Sequence, residues 1–317
     1  MSKLEIDGIV PIVPTPFGKD GGVDFGDLEK LLNFAVQSAV CAVCLPAYAS
    51  EFYKLTEQER RELVLRAISI MGGRLPVIAQ VNHVSARFVA EMARELEAAG
   101  AAAISVAVPR VFALPEIDLL RYFGTILSAI SIPLVIQDFN PGGGTVSLNF
   151  LKTLHSHHNH FRYLKLEEPL MSAKVQAIRE ETGGAIGVVD GWGGTYMLEL
   201  IEAGICGVMP GLGVSDLLQI IWTHARAGRK DDAYELFQGV LPQISNSLQS
   251  LEFFHHAEKA LLASRGVLTN TSVRDATLTV DEIDRKHIKF LNDKVIHLAK
   301  IQEVRLKNQD ASTRVRI

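Results

Sequence analysis

Arg162-Tyr163-Leu164-Lys165-Leu166-Glu167-Glu168 is a short apolar run closed by charge, and it reads as a buried strand with Lys165 near its end. A lysine among apolar neighbours loses hydration of its charged form, so its pKa falls below the ordinary value of about 10.4. The neutral amine so produced attacks carbonyl carbon and forms a Schiff base. Alone, the fragment fits better a strand-end lysine whose stem packs while its head reaches water. The rest of the chain reverses that balance.

Working towards the N-terminus, Ile132-Pro133-Leu134-Val135-Ile136-Gln137 reads as the preceding strand, closed by Asp138. Before it come Ala102 to Val108 with a helix over Ile117 to Ser128, and Leu75 to Gln80 with a helix over Ser85 to Ala98. Val43 to Pro46 is followed by Thr56-Glu57-Gln58-Glu59, a capping-box pattern that opens a helix. Gly8 to Val13 is the first strand, and Asp24 to Gln37 carries apolar residues at helical spacing. Towards the C-terminus, Gly187 to Asp190 and Gly204 to Met209 complete the set. Eight short apolar strands alternating with helices predict an α/β fold, a parallel (β/α)8 TIM barrel. The competing doubly wound sheet lacks its Gly-x-Gly-x-x-Gly after the first strand. Asp231–Val240, Leu251–Ala263 and Val280–Glu303 show helical periodicity without strand signal. The expected division is therefore a barrel over 1–228 and a C-terminal helical region over 229–317, packed on it.

The 317 residues are 48% hydrophobic and 21% charged with a formal net charge of −4, ordinary values for a soluble globular protein. No basic excess argues for nucleic acid, and no long uncharged apolar run argues for a membrane span. The first residues lack the apolar core of a signal peptide, and three cysteines suit reduced thiols, so a cytoplasmic location is expected. Cys41 and Cys44 have the spacing of a metal pair, but residues three apart on a strand face opposite sides. No metal or cofactor is expected there. The histidines of His155-Ser156-His157-His158-Asn159-His160 precede the Lys165 strand, so they are expected in a solvated loop on the opposite barrel face.

In such barrels chemistry occurs where strands end and the following loops begin. Lys165 is so placed, with Tyr48, Ala49, Ser50 and Glu51 after the second strand and Asn82 and His83 after the third. Arg110 follows the fourth strand, Asp138 closes the fifth, Asp190 and Gly191 end the seventh, and Met209 ends the eighth. All are expected to face one pocket around the amine. Glu167 and Glu168 are expected on opposite sides of the strand end, with one of them near Lys165.

In order and spacing these motifs resemble the pyruvate-dependent class I aldolase and lyase superfamily, which includes dihydrodipicolinate synthase and N-acetylneuraminate lyase. The resemblance runs from about Gly8 to about Lys289. It rests on Thr15-Pro16-Phe17, on Gly21-Gly22-Val23-Asp24, and on Ala47-Tyr48-Ala49-Ser50-Glu51 in place of a Gly-Thr-Thr-Gly-Glu loop. Pro141 stands in the Tyr-Asn-x-Pro position, and Lys165 in that of the Schiff-base lysine. The resemblance implies attack of Lys165 on the keto carbon of pyruvate or another 2-oxo acid. A carbon–carbon bond is then made or broken, or water is lost from a 2-oxo-3-deoxy sugar acid. It further implies a homo-oligomer, dimer or tetramer, that takes a small-molecule 2-oxo acid and needs no further cofactor. Ala49 and Ser50 would hold the carboxylate through backbone N–H groups, with His83, Arg110, Gly191 and Met209 around the rest of the substrate.

The departures bear on mechanism. The strand-five tyrosine aligns with Asp138 and the relay threonine with Tyr48, so these two are the expected substitute proton relay. Alternatively, Asp138 is an ion-pair partner of Lys165 or Arg110. The synthase's arginine falls at Gly143, which argues against dihydrodipicolinate synthase activity itself. A Schiff-base aldolase, a dehydratase using the same imine, and a barrel that binds oxo acids without turnover remain as functions.

Overall fold

The structure is a computed structural model that describes residues 4–140 and 144–314, with side chains through Arg305. Pro141 and Gly143, two positions used in the family resemblance, lie outside these residues. The strands are β1 (Gly8–Ile9), β2 (Val43–Leu45), β3 (Val77–Gln80), β4 (Ala103–Ala107), β5 (Leu134–Phe139), β6 (Phe161–Glu167), β7 (Gly187–Asp190) and β8 (Gly207–Val208). All pair in parallel, in the order β1-β8-β7-β6-β5-β4-β3-β2. Beyond β1, Ile12 makes parallel bridges to Cys44 of β2 and to Gly211 after β8.

The connecting helices are α1 (Phe25–Gln37), α2 (Glu57–Met71), α3 (Ala86–Ala99), α4 (Glu116–Leu127), α5 (Leu148–His157), α6 (Ser172–Glu181), α7 (Met197–Ala203) and α8 (Ser215–Arg226). Three more follow: α9 (Lys230–Ser247), α10 (Leu251–Ser264) and α11 (Glu282–Arg314). Their starts are written in the sequence. Thr56 accepts from the Glu59 N–H at 3.2 Å while the Glu59 carboxylate accepts from the Thr56 N–H at 2.9 Å, the reciprocal capping box. Asp24, Ser85, Ser147 and Ser250 cap their helices one way only, the side-chain oxygen accepting from a first-turn N–H.

Why the strands are mostly apolar follows from their two buried faces. Leu45, Ile104, Ile136, Leu164, Leu166 and Val188 belong to the cluster between strands and helices. Their alternates Cys44, Ile78, Ala103, Val135, Tyr163, Val189 and Met209 form a second cluster on the inner side of the sheet. Tyr163 seals the N-terminal end of that inner side: its hydroxyl accepts from Ile6 N and donates to Leu4 O, both at 3.2 Å. The C-terminal end of the inner side is polar instead, with Gln80, Ser105, Gln137, Lys165 and Glu167 all buried. The inner face of the sheet thus carries its polar side chains at the loop end of the strands.

Three expectations are corrected. The strand expected over 204–209 begins later, because Gly204 is the left-handed C-cap of α7 at φ 101°. The strand expected over 8–13 is a two-residue pairing followed by a single bridge. His155 and His157 lie in the last turn of α5 rather than a loop, their Nδ1 atoms 2.9 and 2.8 Å from the carbonyls of Phe161 and Thr153. All three cysteines are free, and no helix of the described residues is long and apolar enough to cross a membrane.

Candidate active site

Residues two apart on a strand share a face, so Lys165 and Glu167 of β6 both point inward. The Lys165 Nζ lies 3.1 Å from Glu167 Oε1, and the two residues are 5% and 6% exposed. The carboxylate expected near Lys165 is therefore that of Glu167. That carboxylate is fixed by a chain of amides across the sheet. Gln137 Nε2, opposite Lys165 in register, donates to Glu167 Oε1 over 2.7 Å, and Gln80 Nε2 donates to Gln137 Oε1 over 2.6 Å. Glu168 turns the other way and pairs with Lys174 at 3.3 Å. Glu167 is thus the one of the two glutamates expected beside Lys165, as its spacing of two along the strand dictates, whereas Gln137, which comes from the neighbouring strand, was missed as a site residue.

Gly191, expected as a substrate contact, has a different function in this geometry. A Cβ at Gly191 would stand 2.3 Å from Glu167 Cγ and 2.6 Å from its Oε1. The absent side chain is the space in which the Glu167 carboxylate sits. Gly191→Ala is therefore expected to push Glu167 off the lysine and to cut turnover roughly tenfold to a hundredfold. The overpacking should cost about 1–3 kcal/mol. Steady-state kinetics beside a thermal melt check both effects, and an unchanged kcat would remove Glu167 from the chemistry.

The loop after β2 forms a 3-10 turn at Tyr48–Ser50. Ser50 is wholly buried; its hydroxyl donates to Val13 O at 2.6 Å and accepts from Ala47 N at 3.0 Å. Its own N–H donates to Ala47 O at 2.9 Å. Ser50 is thus a brace of the loop, and its expected place as a carboxylate donor is corrected. The N–H groups of Tyr48 and Ala49 have no hydrogen-bond partner among the described residues. The Tyr48 ring stands edge-on to Phe52 at 5.0 Å and 5.4 Å from Phe139, which is opposite Glu167 in register. Burial first, and the negative charge of Glu167 second, raise the Tyr48 phenol above its ordinary value, with Arg110 opposing.

Asp138 alternates to the other face, opposite Leu166. Its carboxylate is wholly buried, one oxygen bound to the Arg110 guanidinium and the other accepting from Val146 N at 2.6 Å. Of the two readings of Asp138, this geometry assembles the ion pair with Arg110 and not a relay to the lysine. The correction also ties up Arg110, whose side chain remains 30% exposed. His83 turns to the start of α3, its Nδ1 accepting from Ser85 N at 2.9 Å and its ring 4.5 Å from Phe88. Met209 is on the inner wall. Asp190 ends β7 wholly buried, one oxygen accepting from Trp192 N at 2.8 Å, and burial pushes its carboxyl up to about 7.

Helix α10 reaches the same loops from the C-terminal region. Glu258 accepts from Gly213 N at 2.6 Å, in the loop after β8, and burial pushes its carboxyl up to about 7 from an ordinary 4.5. A carboxyl raised in this way holds its proton in the folded state after the unfolded chain has released it. Its contribution to stability is complete below about 4.5 and is lost as pH rises through about 7. Glu258→Gln should therefore lose less Tm than wild type between pH 5 and 8, as calorimetry would show; parallel losses would refute it.

Known proteins resemble this chain in sequence and in fold. The chain is 30% identical over 271 residues to the L-2-keto-3-deoxyarabonate dehydratase of Azospirillum brasilense, covering 84% of this chain and 87% of that protein. The crystal structure of dihydrodipicolinate synthase from Rhodopseudomonas palustris superposes with a TM-score of 0.85 at 23% identity, over 93% of this chain and 99% of that one. That of YagE from Escherichia coli K12, in complex with pyruvate, gives 0.83 at 20% identity over 92% and 98%. These two likenesses concern the fold. A model of the Dihydrodipicolinate synthetase family matches residues 5–293, and with that match spanning nearly the whole chain, the protein belongs to this family.

Proposed function

We propose that this protein is a lyase that removes water from a 2-oxo-3-deoxy sugar acid through an imine at Lys165, with Glu167 moving the protons. The observation that carries the reading is the buried Glu167 carboxylate 3.1 Å from the Lys165 amine. A proton passes from Lys165 to Glu167, and the neutral amine attacks the keto carbon. The same proton then leaves with the carbonyl oxygen as water, giving the protonated imine. Glu167, again a carboxylate, takes a proton from C3, and the imine nitrogen receives the electron pair as an enamine. Collapse of the enamine expels the C4 hydroxyl, which leaves as water with the proton that Glu167 holds. A proton then passes from C5 to C3, the C5 enol so formed tautomerises to a carbonyl, and hydrolysis of the imine frees the lysine and a dicarbonyl acid. The N–H groups of Tyr48 and Ala49 are the donors for the substrate carboxylate in this scheme.

The name of the Azospirillum relative, a dehydratase of a 2-keto-3-deoxy acid, supports this substrate class. A second reading, aldol cleavage through the same imine, is favoured by Tyr48, whose ring packs on Phe139 opposite Glu167 and whose phenol would take the C4 hydroxyl proton. Incubation with 2-oxo-3-deoxy pentonates and hexonates separates the readings. Dehydration gives one dicarbonyl acid of the same carbon count, cleavage gives pyruvate and a shorter aldehyde, and a barrel that only binds gives neither.

The reading includes a closed (β/α)8 barrel over 1–228, supported by the Ile12–Cys44 bridge and the Val13 N to Cys44 O bond of 3.0 Å. It also includes a homo-oligomer. Exposed Val111, Phe112, Leu114 and Ile117, together after β4, support an interface there.

A further inference from the structure

Glu51 immediately follows the Tyr48–Ser50 turn, and its N–H closes that turn onto Tyr48 O at 3.0 Å. It is wholly buried and holds φ 59°, a left-handed conformation that a non-glycine residue keeps only when its surroundings fix it. Three donors from separate segments do so. Lys259 Nζ on α10 lies 2.5 Å from Oε1, while Lys54 Nζ at 3.3 Å and the Arg274 N–H at 3.1 Å meet Oε2. Lys259 is itself wholly buried, donates also to Ser272 O at 2.8 Å, and stands 4.4 Å over the Phe17 ring. No step of the imine chemistry uses it.

We infer that Lys259 is a positioning residue for the substrate carboxylate: its ion pair with Glu51 holds the N–H groups of Tyr48 and Ala49 in place from a helix of the C-terminal region. The inference rests on the reading of those two groups as the carboxylate donors. A buried carboxylate that loses the nearer of its two cations is left with one uncompensated oxygen, and the shift or protonation that follows frees the turn that Glu51 closes. Lys54 and the Arg274 N–H bind only the second oxygen, so neither replaces Lys259. The neighbouring Glu258, bound to Gly213 N, fixes the loop after β8 from the same turn of α10. The helix therefore ties two loops of the site together.

Lys259→Met alone leaves Oε1 of the buried Glu51 carboxylate uncompensated, so the informative variant is Glu51→Gln with Lys259→Met, which removes both members of that pair at similar volume. Glu51→Gln by itself serves if the double variant does not fold. The readout is the rate at which borohydride fixes pyruvate, or hydroxyacetone, a ketone of similar size without the carboxylate, onto Lys165. In a folded variant the preference for pyruvate over hydroxyacetone should fall roughly tenfold against wild type. An unchanged preference overturns the inference, and so does equal slowing with both ketones, which marks a purely structural pair. Wild-type protein labelled by neither ketone overturns the Lys165 reading itself, and this inference with it.

Discussion

Lys165→Met should abolish turnover, by roughly ten-thousandfold or more, and should remove all borohydride-fixed adduct with 2-oxo acids. Methionine fills the stem's volume but has no nucleophile. The same change leaves the Glu167 carboxylate buried with only the Gln137 amide beside it. An orphaned buried charge destabilises by about 3–5 kcal/mol, so lost activity alone could be lost fold. The control is Lys165→Met with Glu167→Gln, which removes both charges. Its melting temperature should recover towards wild type while its activity stays absent. Turnover that survives in either folded variant would exclude Lys165 as the nucleophile.

Glu167→Gln separates proton transfer from imine formation. The amide keeps the shape of the carboxylate and can still accept from Gln137, but it neither takes the C3 proton nor returns one to the leaving hydroxyl. Turnover should fall roughly a hundredfold to ten-thousandfold, with KM little changed. Adduct formation at Lys165 should persist more slowly, because the amine then loses its proton to solvent. The measurements are kcat with the processed sugar acid and trapping rate with pyruvate, made on one preparation. Equal losses in both would mean that Glu167 serves only the lysine, and the proton at C3 would pass to another group. Tyr48 is the next to test, since the charge of Glu167, after burial, helps raise its phenol.

The strands and most helices were legible because each is recorded locally. Burial on two faces gives runs such as Leu134–Ile136 no polar break, and Thr56 with Glu59 marks a helix start by chemistry three residues apart. Lys165 was legible as the polar end of an apolar strand. What escaped depended on which face a residue takes and on distant partners. Aligning Asp138 with a family tyrosine placed it in sequence, yet alternation along β5 puts it with Leu166 and Arg110 while Gln137 takes the inner face. Alternation along the strand separated Glu167 from Glu168 in advance, but which of the two meets Lys165, and the Gln137 amide that holds it, came only with the structure. Ser50 has the right hydroxyl in the right loop, but Val13 and Ala47 already occupy it. The partner of Glu51 lies 208 residues away on α10, a separation that no local pattern records.

The most direct test of the account is the site of covalent labelling. Wild-type protein is mixed with pyruvate, reduced with borohydride, digested and read by mass spectrometry. The account expects the reduced adduct on the peptide containing Lys165, at one equivalent per chain, and none in Lys165→Met. An adduct on Lys54 or Lys259 with Lys165 unmodified, or turnover of a 2-oxo acid with no adduct formed, would contradict it.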